Sequence, residues 1–253
     1  MTPFVWVRNA SQGATQRRRC SRRAFTLIDV LVSLAVMAVL IGLMLPALTA
    51  IRETSRKVVC SSNIRQIGLS TAMYADDYKH QLPYSLSFDK FVYNTGFVPQ
   101  SLMKARLGQP SDITAKWDGL GVLYGGQYCS APQVYYCPSH KSYHRFENYA
   151  GGWSGAPTEV FINYQYRGGE VRAGQPVRNL DMIRGRISLV ADGMASEIDF
   201  NHGVGGNVIV SDLSVAWFDD STRSLQLPLS YSDPNARDKL LEAWMLIDVT
   251  VSK

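Results

Sequence analysis

Residues 22–51 read RRAFTLIDVLVSLAVMAVLIGLMLPALTAI, and from Val30 to Ile51 the run carries no formal charge. As a helix those 22 positions span ~33 Å, enough to cross the hydrocarbon layer of a bilayer. Five arginines fall within residues 17–23, just ahead of the run, and residues 1–24 hold no acid. A helix in a globular core seldom has such a cationic mouth. The positive-inside rule therefore places residues 1–24 in the cytoplasm and the remainder beyond the membrane, an N-in, C-out single pass. The whole chain has 26 Lys plus Arg against 21 Asp plus Glu, which taken alone suggests an anionic partner such as nucleic acid. Six arginines (Arg8, Arg17, Arg18, Arg19, Arg22, Arg23) account for all of that excess, and the other 229 residues sum to −1. The charge reports topology, and no nucleic-acid partner is implied for the rest of the chain. At 46% apolar and 19% charged, the composition is that of a folded protein and excludes a disordered or polytopic membrane class.

Three export signals compete for the segment. An ordinary signal peptide has a shorter apolar region and ends in a small-x-small cleavage site, whereas this run is longer and ends Leu48-Thr49-Ala50. Ser21-Arg22-Arg23-Ala24-Phe25-Thr26-Leu27 looks like a twin-arginine motif. Neither signal has a use for Asp29, a carboxylate at the start of the apolar run. An ionisable residue in a membrane segment is by default functional.

The third reading accounts for Asp29. The stretch resembles the N-terminus of type IV prepilins and of G-like type II secretion pseudopilins: a basic leader, a small residue, Phe-Thr-Leu-Ile, an acid five residues into the mature chain, an apolar helix, and a proline at its twenty-second position. Phe25, Asp29 and Pro46 stand at those places, with Ala24 where the family usually has Gly and Asp29 where it usually has Glu. The resemblance implies that a prepilin peptidase cuts between Ala24 and Phe25 and that the new amine of Phe25 is methylated. It implies further partners: other pilin or pseudopilin subunits, in homo- or hetero-filaments, and an inner-membrane assembly platform. Asp29 would lower the cost of burying a neighbouring subunit's terminal amine. The expected location is the inner membrane with a periplasmic head, then a periplasmic pseudopilus or an extracellular filament. The competing class is a membrane-anchored or twin-arginine-exported enzyme or binding protein acting through its head.

Pro46 removes a backbone donor, so a kink or local unwinding is expected there. Beyond it Cys60, Ile64, Ile67, Thr71, Tyr74 and Tyr78 recur at helical spacing, while Arg52, Glu53, Arg56, Lys57 and Arg65 lie mostly off that stripe. One long helix is expected over 25–78, its first part (about 28–50) in the membrane, followed by a head over 79–253. Residues 79–156 read as an irregular connection with short helices, one of them near Leu102 to Leu107. Val160 to Tyr166 and Arg186 to Ala191 read as strands, and Asn207 to Val210 with Ser214 to Phe218 as a hairpin. A short helix carrying Leu240, Leu241, Trp244 and Leu246 closes the chain. The fold class is α+β, pilin-like: a long kinked N-terminal helix packed on an antiparallel sheet.

Resemblance to a branch of pilin-like proteins extends into the head through CSSNIRQIGLSTAMYADDYKHQLP, YYCPS and a late His-x9-Asp, usually followed by Gly but here by Leu213. His202 and Asp212 are expected to bond across the base of the hairpin. As a catalytic pair they lack a nucleophile at any diagnostic spacing, and no enzyme activity is expected. Cys20 leaves with the leader. Of the other cysteines, Cys129 with Cys137 closes a small loop and is the first choice for a disulfide, with Cys60 to either partner as the alternative. A sharper pattern is C-x7-C-x2-H-x3-H, which makes Cys129, Cys137, His140 and His144 a possible zinc quartet. Asp192, Asp199, Asp212, Asp219 and Asp220 are oxygen donors for a possible calcium, yet without EF-hand spacing, and no resident cofactor is expected. Trp117, Trp153, Trp217 and Trp244 read as core or interface anchors.

Overall fold

The computed structural model describes residues 25–93, 99–108, 117–154, 158–194, 196–225, 233 and 235–252. Helix α1 runs Leu27–Asp77, and the chain divides into two compact units, residues 1–49 and 50–253. In the first unit every large apolar side chain from Phe25 to Leu48 is at least 41% exposed. Helical structure continues through Pro46, so the proline does not stop the helix, as expected. The proline's missing donor is tolerated, and the Thr49 hydroxyl donates to the Pro46 carbonyl at 2.8 Å.

The second unit is built on the amphipathic part of α1. Cys60, Ile64 and Ile67 are wholly buried and Thr71 and Tyr74 nearly so, as the 4-3-4-3 spacing requires, while Tyr78 at the helix end is exposed. Then follow α2 (Leu86–Tyr93), a 3-10 turn Pro99–Met103, β1 (Lys104–Arg106), α3 (Gly121–Gly125), a 3-10 turn Pro132–Tyr135, α4 (Phe146–Ser154) and β2 (Val160–Phe161). Where a helix was expected near Leu102 to Leu107 there is a strand, because Lys104 and Arg106 pair with Phe161 and Val160. The segment from Val160 to Tyr166 is not one strand. It breaks at Ile162 and Asn163, whose amides donate to Met103 and Tyr135, and resumes as β3 (Tyr164–Tyr166) in another sheet.

After the small hairpin β4 (Glu170–Arg172) and β5 (Gln175–Val177) come β6 (Ser188–Asp192), β7 (Gly205–Val210), β8 (Val215–Asp219) and helix α5 (Ala236–Val251). The main sheet is antiparallel in the order β3-β6-β7-β8, and the hairpin β7-β8 appears as its sequence foretells. Its β7 is buried at every position, which a sheet packed on one face only would not produce. Ile209 joins a core with Cys60, Ile64 and Ile67 of α1, while Val208 and Val210 join a second core with Phe88, Phe218, Leu240 and Trp244. The head is therefore three-layered, with α1 on one face of the sheet and α5, a 16-residue helix, on the other. On α5 the buried residues are Ala236, Leu240, Ala243, Trp244, Ile247 and Val251, whereas Leu246 is half exposed.

Two backbone positions shape the hairpin. Gly205 has φ +146°, and a Cβ there would lie 2.1 Å from the Phe218 carbonyl oxygen, so only glycine closes this ladder. Leu213, at the turn between β7 and β8, takes φ +62°, a strained conformation for a residue with a Cβ. Its side chain packs on the first core, which offsets the strain.

One polar clamp holds α5 to the sheet. Asp248 accepts from Arg167 Nη1 at 2.7 Å and from the Ser188 amide at 2.7 Å, with both charged side chains largely buried. Removing one partner strands the other charge. Asp248→Ala should cost about 3 kcal/mol in a urea titration, and Asp248→Asn appreciably less, because the amide oxygen still accepts from Ser188. A loss below about 0.5 kcal/mol for Asp248→Ala would show the clamp to be idle.

Candidate functional site

Two regions carry the residues singled out by sequence. At the start of α1, the Thr26 amide donates to Asp29 Oδ2 at 3.0 Å and the Thr26 hydroxyl to the same oxygen at 2.8 Å. The Asp29 amide in turn lies 3.3 Å from Thr26 Oγ1. This is a reciprocal capping box with Asp in the third helical position. Asp29 therefore has a local partner that sequence reading missed, although Thr-x-x-Asp ahead of an apolar run is the recognised signal. Phe25 is 83% exposed, and Ala24, the other half of the expected cleavage site, lies with residues 1–23 outside the described residues. Among the described residues, α1 is the one helix long and apolar enough to cross a membrane.

The second region is a polar cluster inside the head. Glu53 and Cys60 lie seven residues apart, two turns along one face of α1. Cys137 follows the Pro132–Tyr135 turn and is held by its amide, which donates to Asn163 Oδ1 at 3.1 Å. Asp192 ends β6, and His202 precedes β7. Cys60 Sγ is 3.1 Å from Asp192 Oδ1, Cys137 Sγ is 3.5 Å from His202 Nε2, and His202 Nε2 is 3.8 Å from Asp192 Oδ2. All four residues are at most 4% exposed.

Around them stands an outer layer of hydrogen bonds. His202 Nδ1 meets Glu53 Oε1 at 2.8 Å, and Ser139 Oγ donates to the same carboxylate at 2.9 Å. Asp192 accepts from Asn201 Nδ2 at 2.9 Å and from the Asn207 amide at 2.6 Å. Burial opposes charge on His202, but the Cys137 thiol, Asp192 and Glu53 outweigh it and push the imidazole up to about 9. Burial likewise opposes ionisation of Glu53, yet His202 and Ser139 hold it below its ordinary value. Burial, together with Cys137 and Asp192, pushes the Cys60 thiol up.

A neighbouring group comprises His140, His144 and Asp199. His140 Nδ1 lies 2.8 Å from Asn201 Oδ1 and His144 Nδ1 lies 3.1 Å from Asp199 Oδ1. Burial pushes the His140 imidazole down. An open cleft of about 630 Å³, lined by Arg56, Cys137, Ser139, His140, Lys141 and Arg145 among others, runs beside both groups.

Several expectations are corrected. His202 and Asp212 do not bond across the hairpin: Asp212 pairs with Arg186 at 3.2 Å and accepts from the Ser214 amide at 2.8 Å, while His202 turns toward Glu53 and Cys137. Cys129 and Cys137 form no disulfide; all three described cysteines are free. The Pro132–Tyr135 turn between them buries Val134 and Tyr135 in the core and directs Cys137 to α1 instead. The quartet Cys129, Cys137, His140 and His144 is thereby split: Cys137 joins one group, the two histidines another, and Cys129 neither. The five aspartates do not converge; Asp192 and Asp199 fall in separate groups, and Asp212 and Asp219 are exposed. Trp153 and Trp244 are core residues, while Trp217 is 37% exposed beneath the Lys57 ammonium at 4.7 Å.

An exposed apolar N-terminal helix leading into an α+β head with an antiparallel sheet defines a pilin-like protein. The model of the family described as "Protein of unknown function (DUF1559)" matches residues 49–194, more than half of the chain, and the chain belongs to that family of prepilin- and pseudopilin-like proteins. The matched stretch includes Glu53, Cys60, Cys137 and Asp192 and stops short of His202. No curated protein and no solved structure matches the chain.

Proposed function

We propose that the protein is a filament subunit, cut by a prepilin peptidase between Ala24 and Phe25, methylated on the new Phe25 amine, and assembled into a type IV pilus or a type II secretion pseudopilus. Hydrolysis of the Ala24–Phe25 amide frees a leader of 24 residues carrying +6 and leaves a subunit of −1. The observation that carries this reading is the apolar surface from Phe25 to Leu48, exposed on every side and headed by a lone carboxylate. So large a patch needs either lipid or other helices around it. Before assembly the bilayer covers it, with the N-terminus inside and the head in the periplasm; after assembly, the helices of neighbouring subunits do. The intact mass of the protein purified from its membrane should equal residues 25–253 plus one CH2, the net gain when a methyl group replaces an amine hydrogen. An uncut chain, or one beginning near Ile51, would instead mark an anchored or exported head acting alone.

A further inference from the structure

We propose that Cys60, Cys137, Asp192 and His202 bind one divalent transition metal ion, of which zinc is the best match, as a closed structural site inside the head. Four metal-ligating side chains converge there, all of them buried. Zinc with thiolate, imidazole and carboxylate ligands at their ordinary bond lengths sets ligand atoms about 3.3–3.8 Å apart. Cys60 Sγ lies 3.1 Å from Asp192 Oδ1, Cys137 Sγ 3.5 Å from His202 Nε2 and His202 Nε2 3.8 Å from the other carboxylate oxygen, Asp192 Oδ2, and one ligand atom from each of the four residues lies within 4.8 Å of the other three.

The surroundings fit as well. His202 presents Nε2 to the cluster because Nδ1 is held by Glu53, the carboxylate–histidine pairing that fixes the tautomer of metal-bound imidazoles. The Asp192 carboxylate is oriented by Asn201 and the Asn207 amide. Two thiolates and one imidazole favour zinc over calcium or magnesium. With four protein ligands no position remains open for a substrate, so the ion is structural. The cleft lined by Cys137 and His140 gives it an entry path. The ligands come from α1, the loop before α4, the end of β6 and the start of the β7 hairpin, so one ion ties the long helix to the sheet. This inference does not depend on whether the subunit forms filaments.

Two other uses of these atoms are weaker. A Cys60–Cys137 disulfide would use the two sulfurs alone and give no role to the convergence of His202 Nε2 and Asp192 on them. A Cys137 nucleophile activated by His202 and Glu53 needs an accessible sulfur, and Cys137 is 4% exposed.

The test is metal analysis of the full chain purified in detergent without chelator. One zinc per chain is expected, with the Cys60 and Cys137 thiols unreactive until chelator is added. Cobalt(II) exchanged into the site should show tetrahedral ligand-field absorption and thiolate-to-metal charge transfer. Cys60→Ser should weaken the charge-transfer band, and Asp192→His should keep the tetrahedral spectrum, so a folding defect is distinguishable from a lost ligand. Glu53→Gln, a positioning change, should lower zinc affinity about 10- to 100-fold with the cobalt band energies unmoved. His140→Ala should leave metal content unchanged. A Cys60–Cys137 disulfide in the unreduced protein, free thiols with no zinc uptake, rapid alkylation of Cys137 in the native chain, or zinc lost with His140→Ala but kept by Cys60→Ser would each overturn the proposal.

Discussion

Asp29→Ala and Asp29→Asn should both leave the protein in the membrane and remove it from filaments, while Asp29→Glu restores incorporation. Two roles meet at this carboxylate, and their magnitudes separate them. In the single chain Asp29 closes a capping box with Thr26. Loss of a cap costs about 1 kcal/mol and frays one turn of a helix that is otherwise held by its surroundings. In the proposed filament the amine of Phe25 freed by cleavage would be buried beside a neighbour's helix, and breaking a buried ion pair costs about 3–5 kcal/mol, roughly 10²- to 10⁴-fold in subunit affinity. Asparagine keeps an oxygen able to accept from Thr26 and removes the charge. Shear fractionation of cells expressing Asp29→Asn therefore decides between the roles: normal filament incorporation would leave the carboxylate a helix cap and nothing more.

The second large effect lies in the head. Trp244 is fully buried between α5 and the sheet, in the core that includes Phe88, Phe218, Leu240 and Ile247. Trp244→Ala should lose about 3–5 kcal/mol, through lost transfer free energy and an unfilled cavity. That is a large share of the 5–15 kcal/mol by which domains of this size are usually stable, roughly speaking. Among the described residues the Trp244 indole N–H has no hydrogen-bond partner, and the Arg167 guanidinium lies over the ring at 5.7 Å. Trp244→Phe keeps an aromatic face and gives up no hydrogen bond, so it should cost only about 1–2 kcal/mol. Denaturant midpoints of the two variants give the comparison. Equal losses would mean that the N–H, not the volume, stabilises the head.

Much of the architecture is legible along the chain because it rests on local periodicity. The charge-free run, the arginines ahead of it, and the stripe from Cys60 to Tyr74 each report a helix and its environment without reference to distant residues. The hairpin of β7 and β8 is similarly local. What failed were inferences about partners. Val160 to Tyr166 looks like one strand, yet Ile162 and Asn163 answer to Met103 and Tyr135, residues whose positions no pattern within the strand reveals. The expected bond between His202 and Asp212 assumed that proximity in sequence carries over into space.

The buried cluster marks the boundary most clearly. Composition and spacing report a long apolar helix, a cluster of arginines ahead of it, an α+β head and a helix whose inner face contains Cys60. They do not bring Glu53 to His202 across 149 positions, or Cys60 to Asp192 across 132. Those encounters follow from packing α1 on the sheet, which sets β6 and the entry to β7 against one helical face. Periodicity records which side of an element is buried; which residues meet there is settled by how the layers stack.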